Sequence, residues 1–268
     1  MFNGLLLLVL VAACVPGILV AIPRATDLLL DRLSRSGDGR LPPRRLLVVA
    51  QTAQSLVVTT ALAALGVAAS ARTGLGAPFF ERLVAGEKVG GELLAQTAPG
   101  LGLGAAGALV FLLAYYLVFR PRLDAETVSA MERLRRQSGL AGRLLYGGIV
   151  EEVLCRFGVM GGLLWGITAI PGAPHEAALW PAILCSALLF GLGHIPSYRQ
   201  AGCRGSVPFY ALEILLNLGA GCLFGWLFAS KGLLCAMTAH ATFHLAWYPF
   251  DRVLAAQEHP SAVPSSPR

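Results

Sequence analysis

Gly148-Ile149-Val150-Glu151-Glu152-Val153-Leu154-Cys155-Arg156-Phe157-Gly158 is the stretch that decides how this chain is read. Two adjacent carboxylates and an arginine stand inside a largely apolar run that extends from Leu140 to Ile170. A lipid-spanning helix pays roughly 2.5–3.5 kcal/mol for each charge near its centre on insertion scales, so three charges within six residues need a reason. Glu152 and Arg156 are four apart and share a helix face, where they can pair and offset much of that cost. Glu151 points about 100° away from them and has no partner nearby in sequence. The bland alternative for these charges is a buried polar staple between helices. The sharper one is a functional site built around an acid left over inside the membrane.

The surrounding composition sets the medium. Of 268 residues, 56% are hydrophobic and only 13% charged. A soluble domain averages about 25% charged. The expectation is an all-α, polytopic transmembrane helical bundle of about seven spans. The net charge of +6 is arginine concentrated in loops between apolar runs. It is therefore topology information and not a nucleic-acid footprint. The six cysteines form no C-x-x-C pair, and five lie in apolar runs, which predicts small buried thiols and no disulfide framework.

Seven apolar runs follow in order: 4–22, 46–71, 100–119, 140–170, 177–193, 208–229 and 232–250. The first lacks a preceding positive charge and a small-residue cleavage site, so it reads as an uncleaved span. Residues 23–45 form a basic stretch whose Ser-Gly-Asp-Gly and Pro-Pro punctuation predicts irregular structure. A short helix is predicted at 78–84, lying at the interface. Before the fourth run, Asp124 is positioned as an N-cap, and Val128, Met131 and Leu134 share one side of the amphipathic interfacial helix that follows it. Pro171 to Pro174 turn the chain. Glu213 and Asn217 form a four-spaced polar pair in the sixth run. The tail after Asp251 is polar and rich in Pro and Ser, a composition typical of disorder. Three parts result: N-terminal spans and basic loops (1–139), a membrane core (140–250) and the tail (251–268).

Lys and Arg set the orientation. The loops after spans one, three and five, with the tail, hold 16 of the 21, the opposite side holds four, and Arg156 is within the membrane. This places the N-terminus outside and the C-terminus in the cytoplasm. Glu151 then lies roughly 13 Å into the fourth span at about 1.5 Å per residue, and His194 marks the cytoplasmic end of the fifth. His240 and His244, four apart in the seventh, face one side of that helix. All four residues can share one cavity open to the cytoplasm. Two chemistries suit them. In one, Glu151 is a general base acting on water, His194 holds that water, and His240 and His244 donate to the oxyanion of a tetrahedral intermediate. In the other, Glu151, His194, His240 and His244 ligate a Zn²⁺ ion that activates its bound water. The His-x-x-x-His spacing at 240–244 is that of zincins, without their Glu after the first His, and leaves the metal open.

At these residues the chain resembles the CPBP family of intramembrane proteases (CAAX protease and bacteriocin-processing, also called Abi), which includes the type II CAAX prenyl proteases. The family's E-E-x-x-x-R motif matches Glu151 to Arg156, and its F-x-x-x-H motif matches Phe190 to His194. The H-x-x-x-N motif falls at His240 to His244, with His in place of the commoner Asn. The resemblance implies peptide-bond hydrolysis at the membrane, on a protein or peptide substrate that is lipidated in the prenyl proteases. It implies Glu151 as base, His194 as water holder, His240 and His244 as the oxyanion site, and Glu152, Arg156 and Phe190 as structural support. Members carry the metalloprotease label, while a glutamate-activated water without metal is favoured for the family. The expected setting is a bacterial plasma membrane. The competing classes are a proton-coupled transporter, since Glu and His in spans also build proton relays, and a non-catalytic scaffold or immunity protein on the same fold.

Overall fold

A computed structural model describes residues 2–36, 41–170 and 174–258, and these are mostly helical, without strands among them. Nine α-helices follow in order among the described residues: α1 Gly4–Ser36, α2 Arg44–Thr73, α3 Pro78–Val84, α4 Gly90–Leu113, α5 Ala125–Gly142, α6 Gly161–Thr168, α7 His175–Gln200, α8 Val207–Lys231 and α9 Leu233–Glu258. Among the described residues, five helices are long and apolar enough to cross a membrane: Gly4–Ser34, Arg44–Thr73, Gly90–Arg122, Glu176–Gln200 and Val207–Lys231. The fourth and seventh expected spans are also helical. They are not among those five, because they hold the polar residues: Arg143, Glu151, Glu152 and Arg156 in one, His240 and His244 in the other. The protein is a polytopic integral membrane protein.

Two expectations of irregularity are corrected. The basic stretch 23–45 is not a loop over most of its length, because α1 continues through Pro23 to Ser36. A proline inside a helix removes only one donor locally. The segment beyond it is rich in leucine and tied down at its ends. Arg24 donates to the Ser138 carbonyl at 2.8 Å, and Arg44 pairs with Asp27 at 2.5 Å. Likewise, α9 runs past Asp251 to Glu258, so the tail expected from 251 begins with further helix. Asp251 itself is 1% exposed and accepts from Arg135 at 3.0 Å and Arg143 at 2.6 Å. The expected turn at Pro171 to Pro174 lies mostly outside the described residues. Asp124 does cap α5, accepting from the Thr127 N–H at 2.9 Å, and this bond holds its carboxyl below the ordinary range. No described cysteine is in a disulfide, but Cys185 is exposed rather than buried, since it faces outward from α7. Burial pushes the Cys203 thiol, between α7 and α8, up to about 12.

The helix holding the two glutamates is wound unusually. Arg143–Glu151 and Val153–Met160 are π-helical before the chain tightens into α6. Single π turns are common at functional sites because they re-aim side chains. Here the widened helix sits among α1, α2 and α9. Small residues allow the close approach that packing in lipid requires. A Cβ at Gly66 of α2 would collide with the Phe157 ring. At Gly104 of α4 it would stand 2.6 Å from the Ala239 carbonyl oxygen of α9. The π-wound helix and α9 are thereby drawn to the centre, while leucines and valines such as Val57, Leu94 and Leu117 cover the outside.

Candidate active site

Glu151 and Glu152 lie side by side in sequence but in different surroundings. Glu152 is fully buried, whereas 21% of the Glu151 side chain is exposed to a cavity. Glu152 Oε1 meets His240 Nδ1 at 2.7 Å, and Glu152 Oε2 lies 3.4 Å from Arg156 Nε. One carboxylate thus serves both the expected partner four residues on and a histidine 88 residues away. His240 Nε2, the other ring nitrogen, faces Glu151 Oε2 at 4.0 Å, too far for a direct hydrogen bond. His240 is therefore clamped at one nitrogen and open at the other.

The rings around it fix its plane. His240 stacks on Phe224 with centroids 4.6 Å apart and on His244 at 4.8 Å. Arg156 is 1% exposed, and its guanidinium carbon lies 4.6 Å from the Phe190 centroid and 5.6 Å from that of Phe224. None of its guanidinium nitrogens has a hydrogen-bond partner among the described residues. The charge is offset by Glu152 and by the two ring faces instead. Phe190 also packs edge-on against His194. Its carbonyl accepts from His194 Nδ1 at 2.8 Å, which leaves Nε2 of the neutral ring unprotonated.

A cavity of about 780 Å³ gathers Glu151, Phe190, His194, His240 and His244 on its walls, and Gly147 with them. Glu152 and Arg156 stand behind that surface. Gly147 is needed as glycine, because a Cβ there would lie 2.6 Å from His244 Nε2. The next residue, Gly148, lets the π-wound helix approach Ala241 of α9. The sequence reading missed three features of this site. The Glu152–His240 bond joins residues too distant for any periodicity to connect. Phe224 carries no polar signal at all. The Gly147-Gly148 pair just before the glutamates was a usable signal that went unread.

The donor geometry bears on the metal reading. Among the described residues no three His, Cys, Asp or Glu groups are arranged to hold a metal ion. His240 Nδ1 is bonded to Glu152, which leaves Nε2 as the His240 nitrogen that faces the cavity. Zinc would need its nitrogen and oxygen ligands at about 2.0–2.2 Å from one point. As placed, the described donors do not converge on such a centre.

Residues 138–246 match a family model described as Rce1-like, type II CAAX prenyl endopeptidase Rce1-like. This region is similar to the type II CAAX prenyl endopeptidases that the family model describes. The match begins within the last turns of α5 and ends within α9, so it takes in every residue of the clamp just described. No curated protein and no solved structure was found to match the chain. Asp251 lies about one turn beyond the match. That carboxylate ties α9 to Arg135 of α5 and to Arg143, and Arg135 also donates to the Tyr115 hydroxyl at 3.1 Å.

Proposed function

We propose that this protein is an intramembrane endopeptidase of the CAAX type that hydrolyses a peptide bond with a water activated by Glu151. The carrying observation is the clamped histidine: His240 bonded to buried Glu152 on one side and open to Glu151 on the other, within a cavity shared with His194 and His244. Glu151 has no hydrogen-bond partner of its own among the described residues and is free to take a proton. The 4.0 Å gap between Glu151 Oε2 and His240 Nε2 accommodates an oxygen atom within hydrogen-bond reach of both.

In this reading the water sits against Glu151 and is held by the unprotonated Nε2 of His194. Glu151 removes its proton as the oxygen attacks the scissile carbonyl, a step worth roughly 10²–10⁴ in rate for a well-placed base. The carbonyl oxygen becomes an oxyanion. His240, held at Nδ1 by Glu152, offers Nε2 as one donor to it. His244, stacked on His240, is the second donor. The proton held by Glu151 then passes to the departing amine as the C–N bond breaks. The ion-pair partner Arg156 and the Phe190 and Phe224 rings hold the clamp rigid.

The substrate is a protein or peptide segment presented at the bilayer, with a lipidated C-terminus as the class that the family suggests. The 16 of 21 Lys and Arg on one side support an N-terminus outside, a C-terminus in the cytoplasm and a cavity opening to the cytoplasm. The test uses purified protein in lipid nanodiscs with prenylated and unmodified CAAX-type peptides. Cleavage located by mass spectrometry, absent with Glu151→Gln, is the expected result. Cleavage that persists undiminished in Glu151→Gln, or no cleavage of any peptide, refutes it.

A further inference from the structure

We infer that Glu213, on the α8 wall of the same cavity, is a specificity subsite that takes a basic side chain of the substrate. This rests on the peptidase reading only in calling the bound peptide a substrate. Glu213 is 3% exposed and lines the cavity without touching the catalytic clamp. It forms no ion pair among the described residues. Its hydrogen-bond partner there is Asn217, a turn further on, whose Nδ2 donates to the Glu213 carbonyl at 2.7 Å and to Oε2 at 3.3 Å. Every other buried acid among the described residues has a cation beside it: Glu132 has Arg120, Asp251 has Arg135 and Arg143, and Glu152 has Arg156. Of these described acids, Glu213 alone has no ion-pair partner supplied by the protein. An acid inside a membrane bundle normally faces a partner or a pathway.

The position suits a peptide. Glu213 lies six residues along α8 from Val207. At roughly 1.5 Å of rise per residue, that is about 9 Å from the start of the helix. A Cβ at Gly191 of α7 would be 3.5 Å from the Glu213 carbonyl oxygen and 3.3 Å from Asn217 Cβ, which puts the pair beside the turn that carries His194. The cavity lining presents three acids, Asp31, Glu151 and Glu213, together with Arg24, Arg32, Arg133, Arg135, Arg143 and Arg199. A chain lying in it meets charges of both signs. A lysine or arginine side chain has the apolar stem to cross the Leu212 and Leu216 surface and the charged head to reach Glu213.

The experiment reads binding, so that catalysis does not enter it. Fluorescent peptides that differ only in carrying Lys, norleucine or Glu at one scanned position are titrated onto Glu151→Gln protein in nanodiscs. The expected result is a position where Lys binds at least about 30-fold more tightly than norleucine, the usual scale for losing one partner of a desolvated charge pair. That preference vanishes in the Glu151→Gln, Glu213→Gln double variant. Equal affinities for Lys and norleucine at every position overturn the inference on the parent protein alone, whether or not the double variant folds. A preference that survives Glu213→Gln overturns it too. The best-binding peptide is then given to wild-type protein. If it binds with the Lys preference but is never cut, the peptidase reading fails while the subsite stands.

Discussion

Glu152→Gln is the substitution on which the clamp stands or falls. The carboxylate is fully buried between His240 Nδ1 at 2.7 Å and Arg156 Nε at 3.4 Å. Glutamine keeps the shape and one acceptor oxygen, so the His240 bond can survive in neutral form. It cannot balance Arg156, which is 1% exposed with no other anion paired to it among the described residues. Stranding one partner of a buried pair costs roughly 3–5 kcal/mol. At about 2–4 °C per kcal/mol for a chain of this size, the apparent melting temperature in detergent should fall by about 10 °C. Activity should fall as well, because the carboxylate that holds His240 at Nδ1 is replaced by a weaker amide acceptor. The loss expected is roughly 10²–10³, that of one oxyanion donor. The double variant Glu152→Gln, Arg156→Met separates the two effects. It removes both charges and should regain most of the thermal stability while remaining inactive. Fluorescence-detected gel filtration after heating reads the first, and peptide cleavage the second. If Glu152→Gln alone melts like the wild type and cleaves like it, the buried carboxylate is not what holds His240, and the reasoning is refuted. If the double variant recovers activity together with stability, Glu152 serves Arg156 only.

Four further outcomes are expected. Glu151→Gln should lose roughly 10²–10⁴ in turnover with unchanged thermal stability, since Glu151 makes no described hydrogen bond and is partly exposed. His244→Asn should retain most activity because an amide can donate to an oxyanion, while His244→Ala should lose roughly 10²–10³; equal loss in both, together with lost stoichiometric zinc, would favour a metal centre instead. Gly147→Ala should leave the fold intact, because the atom it meets at 2.6 Å is the far end of the His244 side chain, but should push that ring out of place and lower kcat more than it raises KM. A cysteine placed at Ser34 in a cysteine-free background should label only from the cytoplasmic side and one at Glu87 only from outside; the reverse pattern would invert the proposed topology.

Sequence alone determined what could be decided locally. Apolar run length gave the helices and the medium, because a helix in lipid must be about twenty residues long and nearly uncharged. The four-residue spacing gave the Glu152–Arg156 pair and the shared face of His240 and His244, and the residue type before α5 gave the Asp124 cap; all depend on helix geometry and nothing else. Breaks were legible as positions but not as lengths. Pro42 and Pro43 stand immediately before α2, yet α1 runs on through Pro23 because Asp27 and Arg24 find partners on other segments. Only the tertiary structure decided that Glu152 reaches His240, that Phe224 stacks on it, that Asp251 ties α9 to two arginines, and that Glu213 faces the cavity without a paired cation. Those contacts join residues far apart in sequence, across 88 residues for the clamp and 108 for Arg143 with Asp251. No periodicity encodes them. They follow from which helix faces meet, and that was settled by glycines allowing close approach and by the need of each buried charge to find its complement.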